Sequence, residues 1–79
     1  MQHFDLTNKP ETKPYMKART TDLAFVASPF TLETQEGVMT ISPETTDDWD
    51  GGYYIAYQSD GSKPYAIAPK YVRENYRPA

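Results

Sequence analysis

At 79 residues the chain is one domain at most. A domain this small hides only a modest fraction of its unfolded surface, which leaves little room for a deep, dry catalytic cleft. It contains no Cys and a single His, so disulfides, thiolate nucleophiles and cysteine zinc sites are excluded, and His3 alone cannot assemble a metal cluster.

The net charge of −3 is laid out unevenly: residues 1–30 carry +1, residues 31–60 carry −7 with no Lys or Arg, and residues 61–79 carry +3. Two explanations are open. The segments fold against one another and neutralise on a solvated surface, or they form a dipolar surface that steers a charged partner. No apolar run approaches the roughly 18 residues that a membrane-spanning helix needs. The start, Met1-Gln2-His3-Phe4-Asp5, lacks a basic region followed by a hydrophobic one, so the expectation is a soluble, cytoplasmic protein.

Residues 1–13 include Asn8, Lys9, Pro10 and Glu11 with few apolar neighbours, and they read as a flexible N-terminal arm in front of one domain over 14–79. Within the arm, Phe4 and Leu6 are the residues that could dock. From Tyr15 the chain alternates apolar and polar residues and then runs through Leu23-Ala24-Phe25-Val26, which predicts one strand bent near Thr21. Phe30-Thr31-Leu32-Glu33-Thr34 alternates strictly, placing Phe30, Leu32 and Thr34 on one face. Glu36-Gly37 marks a hairpin turn, because Gly accepts the positive φ of tight turns, and Val38–Ile41 returns as the partner strand. Ser42-Pro43-Glu44-Thr45 can start one helical turn, with Ser42 as its cap and Pro43 in the first position.

Thr46–Gly52 reads as a loop with three aspartates, Asp47, Asp48 and Asp50, around Trp49. An EF-hand fails here, since the register that aligns Asp48, Asp50 and Gly51 begins at Thr46 and ends at Tyr57 where Glu is required. Trp49 either anchors a partner or folds back over a small core.

The last third carries the strongest pattern. Tyr53, Ile55 and Tyr57 alternate with Tyr54, Ala56 and Gln58, so aromatics line both faces of a strand. Asp60-Gly61 is a turn closed by an Asx-type bond, with Gly in the left-handed position. Pro64 places the next strand, Tyr65–Ala68, with its first residue or an edge at the proline. Pro69 suits the first position of a short helix to Tyr76, whose Tyr71, Val72, Asn75 and Tyr76 fall near one face. The expected class is α+β and mostly β: a small antiparallel sheet of four to five strands in two hairpins, with one short C-terminal helix.

These residues carry a resemblance. Val38-Met39-Thr40 after Glu36-Gly37, then Tyr54-Ile55, Asp60-Gly61, Tyr65-Ala66-Ile67, Pro69 and Tyr76 resemble a group of small phage and prophage proteins without an assigned activity. In that group a hairpin precedes a Pro-Gly-Asp-aromatic-Ile strand, a Tyr-Pro-Ile strand and a Pro-started helix ending in Tyr. The similarity spans residues 14–78. It departs from the group at Ala66, where the group has Pro, and at Val72, where it has Phe, while Asp48-Trp49 and Tyr53-Tyr54 compete for the Pro-Gly-Asp-aromatic slot. The resemblance implies a mobile-element setting and no mechanism.

No nucleophile elbow or phosphate-cradling glycine loop occurs, and carboxylates on an exposed loop stay ionised, so the reading is not an enzyme, with no cofactor or metal. The seven tyrosines and one tryptophan exceed what one small core buries. The expected function is therefore a protein-interaction module of phage or prophage type, possible as a homo-oligomer, that binds a host or defence protein through Asp47, Asp48, Trp49, Asp50, Tyr53 and Tyr57. The alternative is a nucleic-acid-binding accessory protein using Lys63, Lys70, Arg73 and Arg77 with exposed tyrosines, against which stands a sequence pI of 4.9.

Overall fold

The structure, a computed structural model, describes all 79 residues. It is mostly β, with one short helix, and its strands divide into two sheets. The first sheet has the order β1-β4-β5, built from Gln2–Phe4 (β1), Phe30–Thr34 (β4) and Gly37–Ile41 (β5). The second has the order β7-β6-β3-β2-β8, built from Tyr65–Ile67 (β7), Tyr53–Tyr57 (β6), Thr20–Val26 (β3), Lys13–Met16 (β2) and Arg77–Pro78 (β8). Helix α1 covers Pro69–Asn75.

The central ladder is β3 against β6, antiparallel, pairing Leu23 with Ala56, Ala24 with Ile55, Phe25 with Tyr54 and Val26 with Tyr53. Strand alternation sends the members of this ladder to opposite sides. Ala24, Val26, Tyr53, Ile55 and Tyr57 turn toward the first sheet and bury with Phe4, Phe30, Leu32 and Ile41. Leu23 and Ala56 turn the other way and bury with Ile67 and Val72 under the helix. The protein thus has two small cores that share one ladder.

Several local expectations match. β4 buries Phe30, Leu32 and Thr34 and the hairpin turns at Gly37, where φ is +107°. Asp60 accepts from Ser62 N (2.9 Å) and Ser62 Oγ (2.6 Å), and Gly61 has φ +79°. Pro69 occupies the first turn of α1, behind Ala68, which makes no side-chain cap. Pro64 immediately precedes β7, an edge strand.

Other expectations are corrected. The first residues do not form an arm outside the fold, because Gln2–Phe4 pairs in parallel with β4 and the Phe4 ring meets Phe30 edge-on at 5.8 Å in the core. Just after this strand, Asp5 holds a turn by accepting from Thr7 N, Thr7 Oγ1 and Asn8 N on one carboxylate oxygen. These bonds, led by the Thr7 hydroxyl, hold the Asp5 carboxyl below its ordinary range. Residues 15–27 are not one bent strand: β2 and β3 form an antiparallel hairpin that turns at Lys17–Arg19. The single antiparallel sheet becomes two sheets because the β4–β5 hairpin packs its apolar face onto the β3–β6 ladder instead of extending it. On α1 the buried residues are Pro69 and Val72, whereas Tyr71 is exposed and exposed Asn75 donates to the Tyr71 carbonyl. Residues 42–46 do close one helical turn as expected, with Thr45 N and Thr46 N both donating to Ser42 O. No helix is long and apolar enough to cross a membrane.

Gly52 enters β6 where a Cβ would stand 2.4 Å from the Phe25 ring and 2.5 Å from the Val26 carbonyl oxygen, at φ +150°. Gly52→Ala is therefore expected to cost roughly 2–4 kcal/mol, the sum of backbone strain and overpacking, read as a lower urea midpoint at unchanged slope. Phe4→Ala is expected to cost about 3 kcal/mol by the same measurement, whereas an undocked arm would leave the midpoint where it is.

Candidate functional site

The acidic loop is built on the turn that ends β5. Thr45 Oγ1 accepts from Ser42 N (2.9 Å) and donates to the Thr40 carbonyl (2.8 Å), while Thr46 Oγ1 donates to Ser42 O (2.9 Å). From this base the chain folds Trp49 against the inter-sheet core, with its ring stacked on Tyr53 at 6.4 Å and 18°. The Tyr53 hydroxyl donates to Asp48 (3.0 Å), and Asp50 accepts from Arg73 on α1 (2.9 Å). Asp47 is exposed and makes no side-chain hydrogen bond or ion pair, which leaves it as the free acid of the loop.

The six residues expected to contact a partner therefore separate. Tyr53 and Tyr57 are buried on the face of β6 that points at the first sheet, and Tyr53 also lines a groove shared with Tyr65, Tyr71 and Tyr76. Trp49 is half-buried and serves the core on its inner face. Asp47, Asp48 and Asp50 stay at the surface, with Asp50 engaged by Arg73. The four cations of the nucleic-acid alternative are also dispersed: Lys63 pairs with Glu33 (3.3 Å), Arg73 pairs with Asp50, Lys70 lies exposed on α1, and Arg77 lies in β8 at the far edge of the sheet. These two ion pairs join the acidic middle of the chain to its basic end. Both are exposed and each contributes at most about 1 kcal/mol.

Tyr65 on β7 and Tyr71 on α1 are the exposed tyrosines, at 39% and 41%. With half-buried Tyr76 they wall a groove of about 420 Å³ that has Ala66 among its lining residues and Asp48 on its rim. Into it the β2–β3 turn sends Lys17, whose ammonium sits 4.8 Å from the Tyr71 ring centroid and 5.8 Å from that of Tyr76 and also donates to the Tyr71 hydroxyl. A cation over two aromatic faces is held by the ring quadrupoles. Tyr71 and Tyr76 also pack at 6.2 Å and 60°. Sequence reasoning did not select Tyr65 or Tyr71 as surface residues.

Burial is the first cause that pushes the Tyr53, Tyr57 and Tyr76 phenols up to about 12. Asp48 adds to the shift at Tyr53, Asp5 at Tyr57 and the Tyr65 hydroxyl at Tyr76. Nowhere do three His, Asp or Glu side chains gather in a geometry that could hold a metal ion. The groove offers aromatic faces, hydroxyls, one ammonium and one carboxylate, which is equipment for contact.

Comparison with family models, curated proteins and solved structures finds no match to this chain.

Burial also raises the Tyr54 phenol, and three of the four raised phenols, Tyr53, Tyr57 and Tyr76, predict the alkaline behaviour of the protein. Each stays neutral in the folded chain but ionises near pH 10 once unfolded, so the stability it contributes is complete below pH 10 and is lost as pH rises toward 12. A spectrophotometric titration is expected to show Tyr53, Tyr57 and Tyr76 ionising late. Tyr53→Phe should remove one late-ionising group while leaving the fold intact.

Proposed function

We propose that this chain is a non-enzymatic protein-interaction module whose contact surface is the tyrosine groove beside the acidic loop. The observation that carries this reading is the exposure of Tyr65 and Tyr71 around a groove already shaped by Lys17 and rimmed by Asp48. Rigid aromatics with polar tips supply large contact area at low cost in side-chain entropy, and they are enriched where proteins meet. Asp48 on the groove, with exposed Asp47 next to it in the chain, adds a local field that favours a partner with basic residues, in keeping with the −7 carried by residues 31–60. Trp49 stacks on Tyr53, which lines the groove, and so supports this surface. The resemblance to small phage and prophage proteins supports a partner of the host or of its defence machinery, met in the host cytoplasm.

The test joins affinity to stability. A partner captured from bacterial lysate is expected to bind at least about 10-fold more weakly to Tyr71→Ala and to Tyr65→Ala, both of which should stay folded with only a modest fall in urea midpoint, since each ring is partly exposed at the surface. Trp49→Ala should instead lower stability, since its ring packs on the core. Salt-dependent retention on immobilised nucleic acid, lost when Lys70, Arg73 and Arg77 become Ala, would overturn the reading.

A further inference from the structure

The two sheets present four outer strands, and three of them are short. β8 has two residues and includes Pro78, β7 has three residues placed between Pro64 and Pro69, and β1 has three. β5 is different: its five residues contain neither charge nor proline, and it bonds to β4 on one side only. Val38 is 64% exposed and Met39 45%. An unpaired strand edge offers N–H and C=O groups to any incoming strand, and proteins ordinarily blunt such edges with charges, prolines or bulges. Here the register with β4 runs unbroken from Thr34↔Gly37 to Phe30↔Ile41, so no bulge turns the edge away. The outward backbone groups belong to alternate residues, Val38 and Thr40, and since Thr45 donates to the Thr40 carbonyl, the open ones are the Val38 N–H and C=O and the Thr40 N–H.

The charges beside this edge select what it takes. Glu36 stands just before β5 and Glu44 just after it, both exposed and without an ion pair, and residues 31–60 contain no cation. Glu33, across the ladder from Val38, is already matched by Lys63. A second copy would set the −7 of residues 31–60 against itself, with Glu36 uncompensated in both chains and no Lys or Arg in that segment, a like-charge arrangement that opposes self-pairing. We propose that β5 docks an extended segment of a partner protein, apolar or β-branched at its centre with Lys or Arg at both ends, which joins the three-stranded sheet as a fourth strand. Backbone hydrogen bonds supply the affinity, Val38 and Met39 meet alternate side chains, and the two glutamates select the flanking cations. No β5 residue lines the tyrosine groove, so this surface stands or falls separately from the one described above.

The probe is the synthetic peptide Lys-Arg-Val-Thr-Val-Thr-Arg-Lys, titrated into the isotope-labelled full chain and into Tyr71→Ala. Amide shifts are expected to concentrate on Gly37–Ile41 and to saturate equally in both proteins. Affinity should fall at least about 10-fold for a peptide with Glu in place of Lys and Arg, for a backbone N-methylated peptide, and for the exposed variant Val38→Lys. Unmoved β5 amides at millimolar peptide would overturn the proposal, as would undiminished binding of either control peptide or shifts centred on Tyr65 and Tyr71. A concentration-dependent dimer in sedimentation, abolished by Val38→Lys, would assign the edge to a second copy and overturn it as well.

Discussion

The β3–β6 ladder is the constraint on which the rest of the molecule depends. Its pairs alternate between two cores, Ala24–Ile55 and Val26–Tyr53 on one side and Leu23–Ala56 on the other. A slip of one residue would exchange the two sides, placing Tyr54 where Tyr53 now meets the first sheet and emptying both clusters at once. Gly52 guards that register. Its lack of a Cβ lets the entry to β6 lie against the Val26 carbonyl, a contact that no other residue type permits.

The helix follows from the ladder. Seven residues are too few to hold a helix in water, and Ala68 makes no side-chain cap, so α1 persists through Val72 on Ala56, Leu23 and Ile67 and through Tyr76 N bonding to the Val72 carbonyl. The small side chain of Ala56 lets the helix approach the sheet closely. That approach brings Tyr71 and Tyr76 beside Tyr65 and within reach of Lys17 from the β2–β3 turn. The groove is thus a by-product of the second core, and its geometry is as stable as the packing under α1.

The charge layout has a comparable logic. Glu33–Lys63 ties the first sheet to the β6–β7 turn, and Asp50–Arg73 ties the acidic loop to the helix. The acids left over, Asp47, Glu36 and Glu44, lie on the loop and at the two ends of β5 rather than in the cores. Stability rests on burial, and the residual acidity is surface property.

Much of the local structure was legible in the sequence because it is set by neighbours in the chain. Strict alternation marked β4 and β6, Gly37 and Asp60-Gly61 marked their turns, and Pro69 marked the start of the helix. Each of these signals acts within a few residues, through φ preferences, missing donors or short side-chain bonds. Phe4 and β8 were not legible, because each is held by a partner far along the chain, β4 for the first strand and β2 for the last, while the local β2–β3 hairpin escaped because Lys17-Ala18-Arg19 holds no Gly, Pro, Asn or Asp to mark its turn. The same reason divides the tyrosines. Their number promised exposed aromatic surface, but only the register of β3 on β6 and the docking of Val72 decide that Tyr53 and Tyr57 are core while Tyr65 and Tyr71 face outward. Sequence by itself determined β4, β6, their turns and the start of the helix, since those choices cost or gain energy locally. Tertiary structure alone decided that there are two sheets and two cores and which side chains remain to meet a partner, since burial is settled only when distant strands find one another.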